Sequence, residues 1–146
     1  MNKEKRDKYQ VLILSSPASL PFSFVKHTWF VINKMGKLSR YEVLFRKLKD
    51  HKDHFYYNQF PSSQGIEIIP YYNKYFWKSK LIARIEGNEA KKLIKTIESS
   101  KNKYPYKNNY HFLGANSNTY TQWVLNHHKE LKVKLPFTAF GKGWKS

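Results

Sequence analysis

The chain has 146 residues, of which 40% are hydrophobic and 17% aromatic, and its 27 Lys+Arg against 10 Asp+Glu give a formal net charge of +17. This length suits one domain and this composition excludes wholesale disorder, so we expect a single α+β domain over residues 9–146, preceded by a disordered basic arm at residues 1–8. The absence of cysteine excludes disulfides, thiolate-bound zinc and a cysteine nucleophile.

The strong positive charge predicts acidic partners. A surface of +17 concentrates polyanions before any specific contact forms, and nucleic acid, anionic lipid and acidic protein all fit that description. The apolar stretch at residues 11–14 is too short for the core of a signal peptide and far too short to span a bilayer. We therefore expect a cytoplasmic protein without a transmembrane segment.

The first half of the chain predicts strands. Residues 9–14 form a first short strand, and residues 25–33 form a strand that is apolar on both faces and hence central in a sheet. Residues 35–37 predict a turn into a strand at residues 40–47, where alternating polar and apolar positions predict one face in water. The polar residues 49–63 predict a surface excursion.

The second half mixes strands with helices. Residues 65–70 and 80–86 predict strands, and helical spacing from a cap at Asn88 predicts a helix that ends near residues 99–100. An irregular crossing then leads to a last helix that begins near residue 117. This order predicts an α+β fold in which an antiparallel sheet packs with helices.

The start of the last helix is the main candidate for chemistry. Asn116, Ser117, Asn118 and Thr119 form a dense helix-start signal, and a helix start offers backbone N–H donors that can hold an anion or an oxyanion. The other half of the candidate site is His27, on the predicted central strand. The alternative is that Asn116 or Asn118 is an ordinary N-cap and that His27 is a buried, hydrogen-bonded sheet histidine.

Three sequence blocks carry a resemblance, namely His27-Thr28-Trp29, then Asn116-Ser117-Asn118-Thr119, then Leu135-Pro136 with Thr138-Ala139 and Gly141-Lys142. Together they resemble an uncharacterised bacterial domain family known only as a domain of unknown function. The order of an early strand histidine and a late polar helix start is also similar to circularly permuted papain-like folds of the NlpC type. This second resemblance implies Ser117 at the position of the catalytic cysteine, His27 as the base and Glu42 as the residue that orients it.

The resemblance implies a cleft, lined by His27, Trp29 and Ser117, for an unknown small-molecule or peptide ligand. In an active Ser/His amidase or esterase, Ser117 would attack a carbonyl, His27 would take its proton, and the amides near Asn116 and Asn118 would hold the oxyanion. A serine hydroxyl starts too high in pKa for a helix dipole to ionise it. We therefore expect a non-catalytic or very slow ligand-binding descendant of a hydrolase, with Asn116, Asn118 and Thr119 among its binding residues.

Two further features bear on function. Aromatic and basic residues interleave at Tyr71, Lys74, Lys78 and Lys80, which fits a module that binds nucleic acid or an anionic surface by stacking and phosphate contacts. The histidines and aspartates of residues 50–54 fit a solvated loop better than a metal site. We expect neither a metal nor a cofactor.

Overall fold

A computed structural model describes residues 8–45, 47, 51–112 and 114–144. The strands, in chain order, are β1 (Tyr9–Pro17), β2 (Lys26–Lys34), β3 (Lys37–Val43), β4 (Phe55–Tyr57), β5 (Gln64–Glu67), β6 (Phe76–Lys78) and β7 (Lys80–Glu86). The main sheet has five antiparallel strands in the order β4-β3-β2-β1-β7, and a separate two-stranded sheet pairs β5 with β6. Except for Lys8, the predicted basic arm lies outside the described residues.

The central position predicted for β2 is confirmed. Phe30 and Ile32 on one face belong to the main hydrophobic core, while Trp29 and Val31 on the other face pack with Leu14. Burial on both faces explains why this strand is apolar throughout. Met35 and Gly36, both at positive φ, make the two-residue turn that joins β2 to β3.

Within the described residues, two α-helices cover one face of the sheet. Helix α1 (Gly87–Lys103) buries Ala90, Leu93, Ile94 and Ile97, the positions that the helical spacing predicted. Helix α2 (Ser117–Leu125) packs against β2 and β3, and a short 3₁₀ helix (Lys129–Leu131) follows it. The antiparallel sheet with two helices confirms the α+β class. None of the described helices is long and apolar enough to cross a membrane.

Four local predictions were wrong. Helix α1 begins at Gly87 and has no side-chain cap, so Asn88 lies inside it. The predicted surface excursion contains β4, where Phe55 and Tyr56 are buried. The strand at residues 65–70 ends at Glu67 and belongs to the small sheet. The face of β3 that was predicted to be exposed to water is covered, as the full burial of Arg40 and Glu42 shows.

Candidate functional site

A cavity of about 380 Å³ opens where β2 begins and α2 begins. His27, Asn116, Ser117 and Asn118 all line it, although most of the chain separates His27 from the others. The side chain of Thr28 faces α2, where its hydroxyl lies 2.8 Å from both Asn118 Oδ1 and Thr121 Oγ1. His27 points to the face of β2 opposite to Thr28, and it lines the cavity together with the helix start because the cavity lies at the end of the strand.

Asn116 caps helix α2 through its side-chain oxygen and its backbone N–H. Its Oδ1 accepts hydrogen bonds from the backbone N–H groups of Asn118 at 2.9 Å and Thr119 at 3.1 Å. In return the Asn116 N–H donates to Thr119 Oγ1 at 3.1 Å, which completes a capping box. The cap that the sequence offered as an alternative to chemistry is therefore present.

Tyr110 lies beside the first donor of the helix start. The backbone N–H and the hydroxyl of Ser117 are near its phenol oxygen and act to lower its pKa, but burial outweighs them and raises that pKa to about 12. An oxyanion at the Ser117 N–H would lie next to the Tyr110 phenol, and the next two N–H groups already serve Asn116.

The C-terminal segment holds the helix start against β2. Asn118 Nδ2 donates to the carbonyl oxygens of Lys26 at 2.7 Å and Phe140 at 2.9 Å, and Asn116 Nδ2 also donates to Phe140 O at 2.9 Å. Gly141 passes so close that an added Cβ would lie 2.4 Å from the Asn116 amide, and its φ of +97° also favours glycine. These contacts explain the Asn-rich helix start without any chemistry.

A buried chain of charged groups lies behind His27. His27 Nε2 is 2.7 Å from Glu42 Oε1, and Arg40 donates to Glu42 through Nε at 2.6 Å and through Nη2 at 2.9 Å. Arg40 Nη1 donates to the carbonyl oxygens of Pro61, at 2.9 Å, and Gln64. In a neutral His27 that donates from Nε2, the basic lone pair lies on Nδ1.

The prediction that Glu42 lies on an exposed strand face is wrong, because Glu42 is fully buried. Its ionisation follows from the groups around it. Burial alone would raise the pKa of the Glu42 carboxyl, but the Arg40 guanidinium and the hydrogen bond with His27 outweigh burial and lower it. Glu42 is thus an ionised carboxylate that can hold the imidazole of His27 in one orientation.

Trp29 and Thr119 lie outside the lining of the cavity. Trp29 is fully buried, its ring is stacked with His27 at a centroid distance of 5.6 Å, and the Arg40 guanidinium carbon lies 4.1 Å from its centroid. Thr119 is buried, and its hydroxyl oxygen lies 2.8 Å from Gly114 O and 2.7 Å from Gly141 O. Trp29 therefore packs behind His27, and Thr119 helps to hold the start of α2 in place.

The predicted basic surface lies apart from His27 and Ser117. Tyr71 is 67% exposed, and Lys74, Lys78 and Lys80 are all exposed. Tyr71 is not among the residues that line the cavity, and its ring makes an edge contact of 5.6 Å with Phe45, which is. This surface and the cavity are therefore separate candidates.

The histidines of the predicted solvated loop bind backbone carbonyls. His51 Nε2 lies 2.5 Å from Phe55 O, and His54 Nδ1 lies 2.9 Å from Leu44 O. Within the described residues, no group of three or more His, Cys, Asp or Glu side chains could hold a metal ion.

Sequence reasoning missed Arg40 and Tyr110. Arg40 alternates with apolar neighbours as an exposed strand residue does, so its pattern carried no sign of burial. Tyr110 lies in an irregular crossing whose path local spacing does not predict.

The chain belongs to the family described as protein of unknown function (DUF3750), whose model matches residues 9–144. Comparison with curated proteins and with solved structures found no match.

Proposed function

We propose that this member of the DUF3750 family is a ligand-binding protein with a permuted papain-like cleft, in which serine replaces the catalytic cysteine. One observation carries the proposal: Ser117, the first residue of α2, and His27, backed by Glu42, line the same cavity. A nucleophile at a helix start, a strand histidine and an acid behind it are the parts of a Cys/His hydrolase site.

The surroundings of Ser117 favour binding over catalysis. A working serine needs a contacting base and free donors for the oxyanion. The Tyr110 phenol lies beside the hydroxyl and the N–H of Ser117, and the following two amides are capped by Asn116. A carbonyl substrate would have to break the bonds to Asn116 before those two amides could hold its oxyanion.

One observation favours an active amidase or esterase as the second candidate. Glu42 is fully buried, ionised and 2.7 Å from His27, which is where the acid of a catalytic triad stands. In that mechanism Ser117 Oγ bonds to the carbonyl carbon as its proton moves to His27. The imidazolium then returns the proton to the leaving amine or alcohol, and water releases the acyl group.

A serine-reactive fluorophosphonate probe separates these two candidates. Because the probe needs the same base and oxyanion donors as a substrate, we expect little or no labelling of the wild-type protein. The controls are Ser117→Ala and His27→Gln, each checked for folding by chemical denaturation. Labelling that maps to Ser117 and disappears in both variants would show that the protein is an active hydrolase.

The basic surface supports a third candidate, a module for nucleic acid or anionic surfaces. Tyr72 is 45% and Tyr75 is 53% exposed beside Tyr71, and Lys74 Nζ lies 5.7 Å from the ring centroid of Tyr75. Exposed rings between lysines could stack on unpaired bases while the ammonium groups contact phosphates.

A comparison with exposed lysines on helix α1 tests whether binding depends on the position of the charges. Lys91, Lys92 and Lys95 are exposed, as are Lys74, Lys78 and Lys80, so the two triple-alanine variants lose the same charge. If the surface is specific, replacing Lys74, Lys78 and Lys80 with alanine should weaken single-stranded RNA binding about tenfold more than replacing the three lysines of α1 does, at the same salt concentration. Equal losses would mean diffuse electrostatics and would reject the module.

A further inference from the structure

The walls of the cavity are mainly apolar. Eleven of the 17 residues that line it are Ala, Val, Leu, Ile, Pro, Phe or Tyr. Phe22 and Phe112 pack together at a centroid distance of 4.2 Å, and Phe24, which is 61% exposed, contacts both at 6.3–6.4 Å. A cavity of about 380 Å³ with such walls is within the usual size of a small-molecule site and favours a hydrocarbon group.

Most polar residues of the lining already have partners. The Ser19 hydroxyl donates to Glu67 O at 2.6 Å, and the side-chain amides of Asn116 and Asn118 bond backbone carbonyls. His27 is hydrogen-bonded with Glu42. The side chains of Ser19, His27, Asn116 and Asn118 therefore offer a ligand little without first giving up an internal bond.

Lys26 is different. It is half-buried at the cavity, and its ammonium has no hydrogen bond or ion pair within the described part of the chain. It is the only lysine or arginine among the lining residues, and no Asp or Glu is among them. A half-buried cation beside apolar walls, on a protein of net charge +17, favours an anionic group on the ligand.

We propose that the cavity binds an apolar carboxylic acid, with the hydrocarbon part against Phe22 and its neighbours and the carboxylate paired with Lys26. This inference rests on the proposed function and adds the chemical class of the ligand. It requires no reaction at Ser117, and it gives Lys26, which neither sequence motif includes, the role of selecting the charged head.

The test compares a fluorescent long-chain polyene fatty acid with the alcohol of the same chain. The wild-type protein should bind both, the acid more tightly. Lys26→Met should weaken binding of the acid about tenfold, the size of one charge-assisted hydrogen bond, and leave the alcohol unchanged. Lys92→Met, on the exposed side of α1, should change neither. Ala18→Phe, which adds a ring to the cavity wall, should weaken both.

Three results would overturn the proposal: no binding of either probe, equal losses of the acid in Lys26→Met and Lys92→Met, or binding that Ala18→Phe leaves unchanged. The first would reject the apolar ligand, the second would show a diffuse effect of the net charge, and the third would place the probe elsewhere. The cleft itself is tested separately, by the reactivity of the thiol in a Ser117→Cys variant, and that test involves no fatty acid. If the protein binds no fatty acid but the thiol reactivity still depends on His27, the ligand class is rejected and the cleft is not.

Discussion

Replacing Glu42 with alanine should lower the free energy of unfolding by about 3–5 kcal/mol, measured by urea denaturation. The carboxylate holds two hydrogen bonds from Arg40 and one with His27, and both Arg40 and Glu42 are fully buried. Its removal leaves the Arg40 guanidinium buried with no counter-charge from Glu42, which costs far more than the loss of a surface pair.

Glu98→Ala is the matched control for this variant. Glu98 also forms an ion pair, with Lys34 at 3.2 Å, but both side chains are more than 40% exposed. Its loss should cost less than about 1 kcal/mol, because water and side-chain entropy offset most of the attraction in an exposed pair. If Glu42→Ala costs no more than Glu98→Ala, the buried charged chain does not stabilise the fold.

The same carboxylate predicts the sign of a pH effect. Because the folded state lowers the pKa of Glu42, its contribution to stability is fully present above the unfolded pKa of about 4.3. That contribution should be lost as the pH falls through the folded value, because the unfolded state binds more protons over this range. A Glu42→Gln variant should therefore lose less stability than the wild type between about pH 5 and pH 2.

Local patterns were enough for several parts of the fold. The strand predicted at residues 80–86 coincides with β7, and the central place of β2 followed from apolar residues on both of its faces. The helix start at Ser117 and its Asn116 cap followed from residue types that accept N–H bonds within one turn. Each of these features depends on interactions close in sequence or on a two-residue period.

The rest depends on contacts that no local pattern records. Arg40 and Glu42 are buried because residues 61–64 pass over that face of the sheet, where Trp29 Nε1 donates to Ser62 O at 3.0 Å. Without this cover, the alternation along β3 is that of an ordinary half-exposed strand. Tyr110 similarly meets Ser117 through a crossing without periodic structure. The sequence predicted that His27 and the helix start at Ser117 line one cavity. It did not predict that Arg40 and Tyr110 lie beside them.

A thiol at position 117 should be unusually reactive, and its reactivity should depend on His27. The chain has no cysteine, so Ser117→Cys carries a single thiol, and Ser63→Cys supplies an exposed control. A helix start and a neighbouring histidine both stabilise a thiolate, so the pKa of the thiol in Ser117→Cys should fall below about 7.5, against about 8.5 in the control. A thiol pKa that is lower by about one gives a roughly tenfold larger thiolate fraction at neutral pH.

The most direct test of the shared site is therefore the pH dependence of iodoacetamide alkylation in Ser117→Cys, with and without His27→Gln. The helix start is common to both proteins, so it cancels in the comparison. We predict that His27→Gln returns the thiol pKa at least halfway toward that of Ser63→Cys. An identical thiol pKa with and without His27 would show that His27 and residue 117 do not act together, and would contradict the papain-like cleft.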